Sequence, residues 1–176
     1  MVDFITEKQK EQVERLIQLN NQNKISVGLH VVFDLDKLFS LQVKEQFEKF
    51  KKILGFTPSH IDYHKYIDNI KCMNAVINFG DEHNLPVRYM KVKPKTKHTT
   101  HPVIETMSLD IFEIKKRLNQ MNDGESCEVL CHPGEYDSDS KTSFNEERTR
   151  DCEGIIKLQN YFETYNNYIN ISYNEL

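Results

Sequence analysis

Two histidines and an aspartate fall within the run His60-Ile61-Asp62-Tyr63-His64, just behind Pro58 and Ser59. These side chains bind divalent metals, and imidazole also moves protons at neutral pH. Ile61 and Tyr63 alternate with His60, Asp62 and His64, so a strand here has one apolar face and one face of metal-type side chains. A helix would instead set His60 and His64 side by side. The preceding Pro58, the shortness of the run and the Ile and Tyr residues favour the strand. In a strand the two histidines stand ~13 Å apart, too far to share one ion. His64, at the far end, is then the candidate ligand, and His60 a buried hydrogen-bonding residue. The plain alternative is a pair of polar residues on a solvated edge.

Other strand-like segments bring similar groups. Residues 24–33 offer His30, residues 87–91 offer Arg88 between Val87 and Tyr89, and residues 127–131 offer Glu128 with His132 just beyond. Ligands of parallel α/β sheets sit at the carboxyl ends of the strands. Buried charges are costly unless something satisfies them, whether a metal, a substrate or a mutual network. Two neutral imidazoles with a carboxylate and a water make an open divalent-metal site. His132, ahead of Pro133-Gly134, sits at a turn from which its ring could reach a leaving group. Arg88 is suited to holding a carboxylate or stabilising an oxyanion. Such parts fit metal-assisted hydrolysis of an amide or ester. Hydride transfer is not indicated, because the sequence has no Gly-x-Gly-x-x-Gly.

The elements that must position these groups alternate along the chain. The spacing predicts helices over 7–20, 41–54, 68–83, 108–121 and 145–165, with Gly55 closing the second and Ser108 opening the fourth. It predicts strands over 24–33, 60–64, 87–91, 127–131 and 168–172. Residues 93–101 and 135–142 read as loops, basic in the first case and acidic in the second. Alternation without hairpin signals implies a parallel sheet with crossover helices. At 176 residues the chain is expected to form a single domain.

Composition narrows the class. The net charge of -4 is spread along the chain and offers no basic face for nucleic acid. No apolar run approaches the ~20 residues of a membrane span, and Met1 leads directly into a charged segment rather than a signal peptide. Cys72, Cys127, Cys131 and Cys152 lack disulfide-framework spacing, so reduced thiols and a cytoplasmic location are expected. Cys127 and Cys131 read as core residues rather than zinc ligands.

Val27-Gly28-Leu29-His30, Pro58 through His64, Leu85-Pro86-Val87-Arg88 and Glu128-Val129-Leu130-Cys131-His132-Pro133-Gly134 are similar to the successive motifs of the YdjC-like carbohydrate deacetylases. Residues 144–148, from Phe144 to Arg148, resemble that family's late aromatic-to-arginine segment. The resemblance runs through most of the chain in the right order. It implies a parallel (β/α) barrel related to the glycoside hydrolase and deacetylase folds, occupying residues 1–176 as one YdjC-like domain. It also implies removal of acetyl groups from N-acetylated sugars with a divalent metal, Mg²⁺ by resemblance and Zn²⁺ as the alternative. By position His30 and His64 match the family's metal histidines, and His132 its proton-donating histidine. We group Arg88 and Glu128 with His132 as catalytic candidates, and Asp62, His60 and Arg148 as substrate-binding or supporting ones.

Two departures set further expectations. Tyr66 stands where the family has another histidine, and no Asp-Asp-Phe-Gly strand opens the chain, which begins Met1-Val2-Asp3-Phe4. The expectation is a domain shortened at its N-terminus, with weak metal binding, self-association through an exposed sheet edge and little or no activity. Asp34 or Asp62 could instead complete the metal site. A non-catalytic carbohydrate-binding or regulatory role is the alternative. A further rival comes from Val31-Val32-Phe33-Asp34-Leu35-Asp36, which resembles the nucleophile motif of haloacid-dehalogenase-type phosphatases, although Leu38 stands where that motif wants Thr or Val.

Overall fold

The computed structural model describes residues 5, 9–64, 69–105, 110–139, 145–165 and 168–176. They form two compact units, Met1–His98 with Ile171–Leu176, and Thr99–Asn170.

In the first unit the elements are α1 (Lys10–Asn21), β1 (Leu29–Val31), α2 (Phe39–Leu54), β2 (Ile61–Tyr63) and α3 (Ile70–His83). β1 and β2 are parallel, with Leu29 opposite Ile61, His30 opposite Asp62 and Val31 opposite Tyr63. Val87 continues the sheet beyond β2 as a parallel bridge to Ile61. The Ile61 N–H donates to the Pro86 carbonyl at 2.8 Å and the Arg88 N–H to the Ile61 carbonyl at 3.2 Å. Leu29, Val31 and Ile61 are fully buried, worth about 1.5–3 kcal/mol each in removed apolar surface.

The helices that cover this sheet follow their apolar stripes. α2 turns Val43, Phe47, Phe50 and Leu54 inward and ends at Gly55, whose φ is 79°. α3 is capped by Asn69, whose side chain accepts the Lys71 N–H, and it buries Cys72, Met73, Val76 and Phe79. α1 has no fully buried residue, but Val13, Leu16 and Ile17 rest against the same core.

The first strand is shorter than the alternation over 24–33 implies, and two side chains of α2 explain where it stops. Gln46 accepts the Val32 N–H at 2.9 Å and donates to the Val32 carbonyl at 2.7 Å. Gln42 does the same for Asp34, at 2.7 and 2.9 Å. Both glutamines are 7 % exposed. They take over the backbone groups that a neighbouring strand would otherwise pair. The predicted strand over 87–91 likewise reduces to its first residue, Val87.

The second unit holds β3 (Ile104–Glu105), α4 (Ile111–Leu118), β4 (Val129–Leu130) and α5 (Glu147–Tyr165). β3 and β4 are parallel, Ile104 opposite Val129 and Glu105 opposite Leu130. The sequence carries no signal for β3, because two residues are too few to show a period. Asp110 caps α4 by accepting the N–H groups of Phe112 and Glu113. The expected cap Ser108 lies outside the described residues, and α4 ends at Leu118 rather than Met121. The core of the unit joins Ile104, Ile114, Leu118 and Leu158.

The strand expected over 168–172 does not form. Ile169 is 88 % exposed, and Ser172 instead closes a turn with Glu175. An alternating β-branched run becomes a strand only when a neighbouring backbone pairs with it. The described structure is thus a mixed α/β chain in which helices alternate with short, parallel-paired strands.

Candidate active site

The parallel register sets His30 directly across from Asp62, so the two side chains leave the same face of the sheet. His30 Nδ1 lies 2.8 Å from Asp62 Oδ1. His64, one residue past β2, brings Nδ1 to 3.1 Å from His30 Nε2, with the rings edge to face. Arg88, carried by the strand-like segment beyond β2, binds the second oxygen of Asp62. The Asp62 and Arg88 side chains are only 5 % and 9 % exposed, whereas the His30 side chain is 33 % exposed.

Burial pushes the Asp62 carboxyl upward most strongly. The His30 hydrogen bond and the electrostatic pull of Arg88, with smaller contributions from His30 and His60, outweigh it and hold the group below the usual carboxylate range. An ionised Asp62 draws the Nδ1 proton of His30 toward itself and leaves a lone pair on Nε2. The site is therefore a chain, Arg88 to Asp62 to His30 to His64, ending in imidazole nitrogens near solvent. The carboxylate that Arg88 holds is that of Asp62.

Two nitrogens bound to one ion at ~2.1 Å, and roughly 90–109° apart, stand about 3.0–3.4 Å from each other. The 3.1 Å between His30 Nε2 and His64 Nδ1 falls in that range, but here it is a hydrogen bond with one proton between the two nitrogens. Among the described residues no group of three or more His, Cys, Asp or Glu side chains converges as a metal cage. The pair could supply at most two ligands to an ion. Asp62 is committed to His30 through one oxygen and to Arg88 through the other.

The His60 ring packs on other residues as well. It stacks on Tyr173 at 3.8 Å, its Nδ1 lies 2.9 Å from Ser59 Oγ in a hydrogen bond, and it lies against Gly28. A Cβ at Gly28 would stand 2.3 Å from the His60 ring, so the glycine of the Gly-Leu-His motif is what lets the ring in. Asp34 caps its own turn, accepting the Asp36 N–H and pairing with Lys37 on an exposed loop.

In the second unit His132 follows β4 and is exposed. Its N–H donates to Asp151 Oδ2 on α5 at 2.6 Å. The Gly134 N–H donates to the Arg148 carbonyl at 3.3 Å, and the Cys152 thiol to the Gly134 carbonyl at 3.6 Å. Arg148 thus meets the His-Pro-Gly turn through its backbone carbonyl and with its side chain laid against Gly134. Glu128 is half-buried and gives its carbonyl to the Ile104 N–H at 2.7 Å. Cys127 and Cys131 pack against the apolar core of this unit.

Sequence reasoning missed Asp151, Tyr173 and the two glutamines of α2. Asp151 carried a signal: it shares the helical face of Ile155, Leu158 and Phe162, where a carboxylate is out of place.

A family model described as YdjC-like protein matches residues 37–160. The chain belongs to the YdjC-like family. A carbohydrate deacetylase of Clostridium beijerinckii is 27% identical over 190 aligned positions, which cover 85% of this chain and 77% of that relative. Asp62, His64, Arg88, Glu128, His132, Arg148 and Asp151 all fall inside the YdjC-like match, and His30 precedes it. No helix among the described residues is long and apolar enough to cross a membrane.

Proposed function

We propose that this YdjC-like chain is a metal-dependent carbohydrate deacetylase that hydrolyses the acetamide of N-acetylated sugars or oligosaccharides. The observation that carries the reading is the Arg88–Asp62–His30–His64 chain, in a sequence of this family and similar to a named carbohydrate deacetylase. A divalent metal, Mg²⁺ by family resemblance with Zn²⁺ as the alternative, would be held by His30 Nε2 and His64 Nδ1 and would acidify water and polarise the acetamide carbonyl. Asp62 fixes the His30 tautomer, so that Nε2 presents its lone pair outward. Arg88 keeps Asp62 ionised in a buried position. His64, whose Nδ1–H donates to His30 Nε2 here, would hold the ion only as the other tautomer, with its proton on Nε2 and the Nδ1 lone pair free. His132 donates the proton that the amine nitrogen needs as it leaves. On this reading both units belong to one YdjC-like domain, and the short parallel strands are parts of a (β/α) barrel.

The test is acetate release from an N-acetylated chitooligosaccharide, with and without added Mg²⁺ or Zn²⁺, run beside phosphate release from a generic phosphoester. Metal-dependent acetate release is expected on this reading, and a folded chain that releases none would match the little or no activity expected for a sequence lacking the Asp-Asp-Phe-Gly strand. Phosphate release without acetate release would overturn the reading.

A further inference from the structure

We propose that Asp151 is a positioning residue for His132, fixing the backbone from which the imidazole is presented. The inference rests on the reading of His132 as proton donor. Asp151 lies in the second turn of α5 and is 3 % exposed. Burying a carboxylate on an apolar helix face is unfavourable, so the position calls for a reason. Its Oδ2 accepts the His132 N–H at 2.6 Å, a short bond to a charged acceptor. Its Oδ1 is buried and has no hydrogen-bond partner among the described residues. What the side chain does by hydrogen bonding is therefore directed at His132 rather than shared across α5. The neighbouring contacts from Arg148 and Cys152 hold Gly134, at the far side of the turn. The Asp151 bond holds the residue that carries the ring. Misplacing a catalytic group by about 1 Å costs on the order of a hundredfold in rate, which makes that backbone bond consequential for turnover.

The experiment uses the full chain with Mg²⁺ and an N-acetylated chitooligosaccharide. It compares wild type, Asp151→Ala, Asp151→Asn, His132→Ala and the Asp151→Ala/His132→Ala double variant. Asp151→Ala is expected to lower kcat roughly ten- to a hundredfold with KM nearly unchanged. Asp151→Asn, which keeps an acceptor oxygen for the same N–H, is expected to recover most of that loss. In the His132→Ala background the Asp151→Ala change is expected to add no further loss, because it acts through a ring already removed. A second readout needs no activity: the His132 amide proton, deshielded by the short bond to a carboxylate, should move upfield in both Asp151 variants. If Asp151→Ala does not fold, the Asp151→Asn amide shift carries the test. A kcat loss that persists undiminished without His132, an unchanged kcat in Asp151→Ala, or an unmoved His132 amide would each overturn the proposal. A wild-type kcat in His132→Ala would overturn the donor reading itself, and this inference with it. Additive losses overturn the inference alone.

Discussion

Replacing Arg88 by Met leaves the Asp62 carboxylate buried without its guanidinium. The two side chains are 9 % and 5 % exposed, so water cannot take over the lost contact. A hydrogen bond to a charged group contributes only ~1.5–3 kcal/mol. Stranding one member of a buried ion pair costs more, about 3–5 kcal/mol, and that desolvation term decides the outcome. In a chain of this size each kcal/mol moves Tm by roughly 2–4 °C, so the midpoint should fall by about 6–20 °C. The His30 bond to the other Asp62 oxygen survives the change and favours the lower end of that range. The Asp62→Asn/Arg88→Met double variant strands no charge and should recover most of the loss.

The acid limb of the same experiment has a defined sign. In the wild type Asp62 titrates below its ordinary 3.8, so its contribution is complete above that pH and is lost only as pH falls through the lower folded value. Without Arg88, burial is less opposed, the folded value rises and the loss begins at a higher pH. The assay is thermal unfolding by circular dichroism from pH 7 downward, for the wild type and both variants. A single variant melting within ~2 °C of wild type at pH 7, or a double variant as unstable as the single one, would refute the reasoning.

His30→Ala and His64→Ala should each weaken Mg²⁺ or Zn²⁺ binding by an order of magnitude or more in a calorimetric titration, and equal affinities in all three proteins would rule out a shared ion. Gly28→Ala should destabilise the chain by about 1–3 kcal/mol, because its Cβ would stand 2.3 Å from the His60 ring, and an unchanged urea midpoint would contradict that packing. Burial pushes the Cys127 and Cys131 thiols above the ordinary 9.0, with Glu128 adding to both and Asp151 to Cys131. Both should therefore alkylate slowly with iodoacetamide at pH 8 in the folded chain and faster in urea, whereas equal folded and unfolded rates would show they are not so held.

Local patterns determined much of this protein in the sequence itself. The stripes Val43, Phe47, Phe50, Leu54 and Cys72, Met73, Val76, Phe79 define α2 and α3, because a 3.6-residue period admits little else. Gly55 stops the first of them by a local backbone preference. The period-two spacing of Ile61 and Tyr63 put Asp62 on the face opposite them, and His30 matched the family motif by type and spacing. Tertiary structure decided which of these polar groups meet. The register that pairs His30 with Asp62, and the Arg88 bond behind it, join residues remote in sequence, and no local pattern encodes a register between strands. The same limit hid the glutamine side chains that end β1, since Gln42 and Gln46 look like surface residues until the backbone they satisfy is beside them. It made a false strand of residues 168–172, where the alternation is present and the partner backbone is not. His60 and His64 share a motif in the chain, yet one ring is stacked on Tyr173 and the other faces His30. Spacing supplied the residue types, and the partner across the fold assigned each its chemistry.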